Sequence, residues 1–455
     1  MTKTNSFPSD LASHLKQYLP KGCKRSVTVR VLTEFLECAY FASMKTEESL
    51  GIKCTLAFVN YLKPDSDPPP LIRPHRPRFV KFEKELPYNV KTLVKLAQAA
   101  DPATTEIAVA LHPSGILLIV GLVDQEVPFR RSLGHEEGAG FGRLGIFQVE
   151  VTGIGVLTVY RDRTLLGGLR QNVLASDFLD ALRQGPIAKI LAPFIVKSLA
   201  IVRKEVGAEF DRSVWWSFDD WELLVRETWL GALSRILLSI QRYGHGGALL
   251  LLPKKSHVDL NTKYPLHYDV LESAIVQRVV NHIRESQTWW TVHDDYCESD
   301  KDLIPIDLYF SATISVNEMG DANQAIDGAV AFIASLSRVD GLITAADGLR
   351  IEGFGVEITK KEDPKSIYAA GNEKASVGKL RKQDAQHWGT RHRSMMRYCF
   401  AHPGSLGFVI SQDGDIRGIA RVGKRLVIWE QIRLQKLELP KSNVTSQGKR
   451  IKKRR

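Results

Sequence analysis

Six consecutive residues, Gly389-Thr390-Arg391-His392-Arg393-Ser394, combine the side-chain types that hold phosphate. Two arginines flank a histidine, Gly-Thr precedes them, and an apolar run with Met395, Met396, Cys399 and Phe400 follows. The spacing predicts a loop tipping into a helix, with Thr390 near the cap. A helix N-terminus presents free N–H groups and the positive end of the dipole, which suits phosphate. Arginine adds a planar fork that grips phosphate oxygens in two bonds. A histidine between two arginines is expected to stay neutral near pH 7, fit either to bond phosphate or to ligate a metal. The same composition also describes a solvated basic helix start.

A second stretch, Ser337-Arg338-Val339-Asp340-Gly341-Leu342-Ile343-Thr344-Ala345, closes one element and opens another. Before it, Ile326, Ala329, Val330, Ile333 and Leu336 recur at helical spacing. Leu342 to Ala345 reads as a buried strand, Asp347-Gly348 as a hairpin turn, and Leu349 to Phe354 as the returning strand. Asp340 therefore stands at a helix-to-strand junction, where a carboxylate can face a cleft. Taken alone, Asp-Gly is only a turn signal.

Together the two stretches resemble the diadenylate cyclase family. Its nucleotide-binding domain has an Asp-Gly-Ala motif entering a strand and, later, a Gly-Thr-Arg-His-Arg motif opening a helix. Here these read Asp340-Gly341-Leu342 and Gly389-Thr390-Arg391-His392-Arg393, in the family's order. Gly246-Gly247-Ala248-Leu249-Leu250-Leu251-Leu252 is similar to the family's early Gly-Gly strand. Leu406 to Ser411 and Ile416 to Ala420 are similar to its later strands. The resemblance covers residues 222–435.

The resemblance implies that two ATP molecules condense into cyclic di-AMP, each 3′-hydroxyl attacking the other's α-phosphate and releasing pyrophosphate. Positioning and charge neutralisation would do most of the work. Asp340 would activate the attacking ribose hydroxyl, directly or through a metal. Gly341 and Leu342 would line the adenosine site. Gly389, Thr390, Arg391 and Arg393 would hold phosphates, and His392 would orient the triphosphate and metal. Mg²⁺ or Mn²⁺ would neutralise the phosphates. The family joins two subunits face to face, so a homodimer or higher homo-oligomer is expected. Two residues depart from the pattern. Leu342 replaces the family's alanine, and Ser411-Gln412 stands where the family has Ser-Glu, with Asp413 the neighbouring carboxylate that could take the metal. These departures leave open a non-catalytic nucleotide-binding protein on the same fold.

The elements that must position these residues form an α/β pattern with two regions. Residues 1–205 read as a separate N-terminal α/β region, implied by the resemblance to be a sensor of unknown ligand. Residues 206–221, with Trp215, Trp216 and Trp221, read as a junction. Residues 222–435 read as a mixed β-sheet flanked by helices. Within the N-terminal region, helices are expected near Asp10–Leu19, Leu32–Ser43 and Val90–Ala99. Strands are expected near Thr55–Leu62, Glu106–Leu111, Gly115–Gly121, Gly145–Thr152 and Gly155–Tyr160. Leu174–Ala200 reads as a helix interrupted by Pro186 and Pro193. His135-Glu136-Glu137 with Gly138, Gly140 and Gly142 is a glycine-rich loop that could bind a ligand. Further on, helices are expected at Leu223–Ile240 and Tyr268–Arg284, then an acidic loop around Asp294-Asp295, and a short strand or loop at Ser311–Ser315. Lys360–His387 reads as a long mobile loop, a candidate lid.

Composition sets the remaining bounds. A chain of 455 residues with 44% hydrophobic content supports two or three packed domains. No apolar run approaches the ~18 residues that span a bilayer, and the N-terminus lacks an apolar signal core. A cytoplasmic protein without membrane contact is expected. Five scattered cysteines show no paired metal spacing. The net charge of +11 is uneven: residues from Lys436 onward carry +7, leaving +4 for the first 435. Residues 436–455 read as a disordered basic tail, which could attract nucleic acid in a salt-sensitive way. It has no interleaved aromatics, and nucleic-acid binding ranks last among the three readings.

Overall fold

A computed structural model describes residues 6–20, 23, 26–62, 78–102, 104–124, 145–161, 164–170, 172–175, 179–210, 218–253, 258–292, 305–384, 388–411, 415–430, 432 and 434. The glycine-rich loop after His135, Trp215-Trp216, the Asp294 acidic segment, Gln412-Asp413 and the basic tail lie outside them. The chain divides into an N-terminal unit over Pro8–Glu126 and Glu136–Gly168, and a C-terminal unit over Leu169–Leu434. Both are mixed α/β.

The N-terminal unit has helices α1 (Pro8–Leu15), α2 (Val29–Ser43) and α3 (Val90–Ala97). Its strands are β1 (Cys54–Val59), β2 (Arg78–Pro87), β3 (Thr105–Leu111), β4 (Leu117–Asp124), β5 (Phe147–Gly153), β6 (Val156–Arg161) and β7 (Thr164–Arg170), of which the last two residues, Leu169 and Arg170, already belong to the C-terminal unit. They run in the spatial order β7-β6-β5-β1-β3-β4-β2. All six residues of β1 are buried, as a central strand covered on both faces requires. Thr28 caps α2 by accepting from Val31 N, and Asn89 caps α3 by accepting from Thr92 N, each supplying an acceptor to an otherwise orphaned donor.

The C-terminal unit begins with helices α4 (Gly185–Phe210) and α5 (Phe218–Arg242) and strands β8 (Gly247–Leu251) and β9 (Leu260–Tyr268). Then come α6 (Val270–Val292), α7 (Ile306–Leu336), β10 (Leu342–Ala345) and β11 (Ile351–Ile358). After these follow β12 (Ile367–Ala370), β13 (Leu380–Gln383), α8 (Thr390–Ala401), β14 (Leu406–Ile410), β15 (Ile416–Val422) and β16 (Arg425–Trp429). The nine strands lie in the order β9-β11-β10-β8-β14-β15-β16-β12-β13. Only β8–β10 and β12–β16 pair in parallel.

Alternation along the strands splits the core in two. Leu249, Leu251, Ile343, Phe408 and Ile410 pack on one face against α4 to α7. Ala248, Leu250, Leu342, Val409 and Ile419 pack on the other with Met395, Met396, Tyr398 and Cys399 of α8. Gly407 lets α8 lie close: a Cβ there would stand 2.2 Å from Met395 Sδ.

Several sequence expectations change. The stretch read as a lid holds the β12–β13 hairpin, with Ile367, Ala369 and Ala370 buried, and β12 pairs with β16 inside the sheet. Ser311–Ser315 belongs to the 31-residue helix α7. The helix expected at Leu174–Ala200 starts at Gly185 and runs through Pro193 to Phe210. Its Ile187, Leu191, Phe194, Val202 and Val206 join the C-terminal core, so the compact unit begins well before the boundary read at 205. This helix also corrects the reading that no run could span a bilayer. Gly185–Gly207 is long and apolar enough to do so by length and composition, with a hydropathy of 1.7 and 39% of it buried.

Candidate functional site

The sheet topology gathers the two motifs at one end. Leu249 pairs in parallel with Ile343, so β8 and β10 start together. Gly247 pairs with Ile410, which brings the end of β14 to that edge, and Ile410 pairs with Ile416, which brings the start of β15. Asp340, Ser411, Asp415 and Arg417 therefore emerge at the same edge.

Asp340 precedes β10 with its carboxylate fully exposed, and Arg391 Nη2 lies 4.0 Å from its Oδ1. Gly341 makes this corner possible. Its φ is +116°, and a Cβ would sit 2.6 Å from the Gly355 carbonyl carbon, so only glycine fits between β10 and β11. Lys263 on β9 pairs with Glu357 at 2.8 Å. Its ammonium is held above the usual lysine range, first by the hydrogen bond to Glu357, with Asp340's charge a lesser contribution. Asp340 thus has cationic neighbours on two elements. Leu342 is buried in the cluster beneath α8.

Gly389 is the N-cap of α8 and no side chain caps the helix, so its first N–H groups face outward beside exposed Thr390. Arg391 and Arg393 are half-buried. Arg393 Nε is buried with no hydrogen-bond partner. The expected neutral histidine is found: His392 is held at about 4. The cause differs in part from the one expected. Burial comes first, then the charge of Arg417, then that of Arg391, with Asp415 opposing.

Arg417 was not singled out from the sequence, yet it sits at the centre of the cluster. Its Nη1 lies 3.3 Å from His392 Nε2, and its guanidinium lies 5.2 Å from the centre of the Trp388 ring. The Trp388 and His392 rings are 5.2 Å apart. Arginine has no acceptor, so His392 Nε2 accepts and the ring proton resides on Nδ1. Asp415 Oδ2 accepts from Arg417 Nη2 at 2.5 Å, and its other oxygen accepts from Arg170. Ser411 Oγ accepts from Asp415 N at 3.1 Å, and Ser411 N donates to Asp415 O at 2.9 Å. The missed signal was alternation: Arg417 shares the α8-facing side of β15 with Ile419, where an apolar residue is the norm.

The metal candidates fare differently. Among the described residues no three His, Cys, Asp or Glu side chains group as a cage, and Asp413 lies outside them. His392 Nε2 already faces Arg417. Asp340 fits a divalent cation held mainly by phosphate and water, because such a cation takes one or two carboxylates from protein.

Residues 23–124 match the family model described as the probable sensor domain DACNV. That domain is the N-terminal sensor of DAC, or diadenylate cyclase, proteins, and no DAC catalytic-domain match accompanies it. No curated protein matches the chain. The matched stretch contains α2, α3 and β1 to β4. It also borders an open cavity of about 700 Å³ lined by Arg30, Glu34, Tyr88 and Ile116 among others.

Proposed function

We propose that the chain is a cytoplasmic diadenylate cyclase whose C-terminal unit condenses two ATP into cyclic di-AMP and pyrophosphate under control of the N-terminal sensor domain. The observation that carries this reading is the approach of Asp340 to Arg391 at 4.0 Å. It sets a free carboxylate beside the arginines and helix N-terminus that suit a triphosphate. Arg391, Arg393 and the N–H groups behind Thr390 hold phosphates. Neutral His392 donates from Nδ1 to a phosphate oxygen. Asp340 draws the proton from the attacking 3′-hydroxyl. That oxygen then bonds the α-phosphorus of the facing nucleotide, and the α–β bridge breaks to release pyrophosphate. Mg²⁺ or Mn²⁺, when bound at Asp340, supplies positive charge to the phosphates.

The reading needs two subunits. Asp340 is fully exposed, as a carboxylate serving a facing nucleotide should be, and Gly-Thr-Arg-His-Arg occurs once in the sequence. A two-fold homodimer places two such half-sites face to face. Purified protein incubated with ATP and Mn²⁺ should yield cyclic di-AMP by mass spectrometry. Binding of ATP with no cyclic product would instead favour a non-catalytic nucleotide-binding protein.

A further inference from the structure

We propose that Arg417 is a positioning residue for His392, fixing the imidazole so that Nε2 accepts from the guanidinium and Nδ1–H is left to donate to bound phosphate. The inference rests on the nucleotide site proposed above, but its geometry comes from another part of the fold. Arg417 pairs with Val409 across β14 and β15, and Val409 lies in the cluster beneath α8. The strand register therefore delivers the guanidinium under the first turn of α8, next to His392. Three neighbours hold it there: Asp415 at 2.5 Å, His392 at 3.3 Å and the face of Trp388 at 5.2 Å.

Asp415 is itself anchored by Arg170 and by the Ser411 hydrogen bonds, so the arrangement extends beyond one pair. The Arg417 side chain is only 18% exposed, and its Nε is buried without a hydrogen-bond partner. Its two Nη groups are spent on Asp415 and His392. This is the work of a residue that orients another, where a phosphate ligand would turn its fork toward solvent. The planar fork reaches both partners at once, which a lysine ammonium does not reproduce.

The test separates tautomer from turnover. Nitrogen-15 NMR at pH 8, with His392 assigned through His392→Gln, should show the Nδ1–H form in the parent protein without nucleotide. Arg417→Gln and Arg417→Lys should shift it toward the Nε2–H form. Asp415→Asn, which loosens the arginine while keeping shape, should shift it part of the way and serves if the Arg417 variants do not fold. With ATP and Mn²⁺, kcat should fall about tenfold to a hundredfold with KM little changed, the scale for losing an outer-shell partner. An unchanged tautomer in all three variants overturns the proposal. So does a rise in KM with kcat preserved, which would make Arg417 a direct phosphate ligand. If the parent forms no cyclic product, the proposed function fails, and the tautomer measurement still decides whether Arg417 orients His392.

Discussion

The neutrality of His392 can be tested directly by pH. The ring is 8% exposed and held at about 4 rather than 6.5 by burial and by Arg417 and Arg391. Above pH 6.5 folded and unfolded chains both carry it neutral, so it contributes no pH dependence there. As pH falls from 6.5 toward 4 the unfolded chain takes up a proton that the folded one refuses. Stability is therefore lost with falling pH across that window and stops changing below it. The full gap corresponds to about 3 kcal/mol, of which about 2 kcal/mol is felt by pH 5. Urea unfolding at pH 8 and pH 5 should show the parent losing about 2 kcal/mol more than His392→Gln, since other titrating groups cancel in the comparison. An NMR titration of the ring should show no protonation above pH 5. A midpoint near 6.5, or equal pH dependence in parent and variant, would refute the assigned electrostatics.

Other expectations follow from the same geometry. Asp340→Asn should abolish cyclic product while calorimetry shows ATP affinity within a few-fold of the parent, because shape is kept and only the charge goes. Gly341→Ala should cost about 3 kcal/mol in urea unfolding, combining positive-φ strain with a backbone clash. Gly423→Ala, with nothing within 4 Å of its added carbon, should cost about 1 kcal/mol. Mixing Asp340→Asn chains with Arg391→Ala chains should leave cyclic product absent, since both attacks are needed to close the ring; recovery of cyclic product would show that one intact pairing of Asp340 with the partner's Arg391 suffices and would refute that requirement. Deleting residues 441–455 should leave ATP turnover unchanged and lower any salt-sensitive nucleic-acid affinity.

What could be read from the chain depended on whether burial left a local period. Strand β10, the turn at Asp347-Gly348 and the β14 to β16 meander were legible because apolar runs meet turn residues there. The start of α8 was legible from Gly-Thr before a charged turn. Strands β2 and β9 were not. Both lie at sheet edges, both are mostly exposed, and Pro265 interrupts β9, as edge strands tolerate. The β12–β13 hairpin hid among the lysines and glycines of 360–387, although Ile367, Ala369 and Ala370 are buried. In α7 the first half exposes Ile306, Tyr309, Phe310 and Ile314, so no polar face marks the helix. In α4 the prolines misled: Pro186 falls in the first turn, where no N–H is required, and Pro193 is exposed inside the helix. Asp340 and Arg391 could be paired through motif order. Arg417, Asp415 and Trp388 could not, because cross-strand register is a property of the assembled sheet.

The same register accounts for the departure at Leu342. Leu249 pairs with Ile343, so Ala248 and Leu342 stand side by side on β8 and β10, facing α8. A small side chain beside a large one lets Met395 and Met396 settle over the pair, and all four are buried in one cluster. Leu342 also pairs with Val356 across β11, which fills the adjoining position. The extra bulk relative to alanine is thus taken up by packing beneath the helix that carries Arg391 and His392. Removing it would open a cavity worth about 2–5 kcal/mol under that helix. Leu342 supports the first turn of α8 from below, and its size is compatible with an exposed Asp340 at the strand's entrance, one glycine earlier.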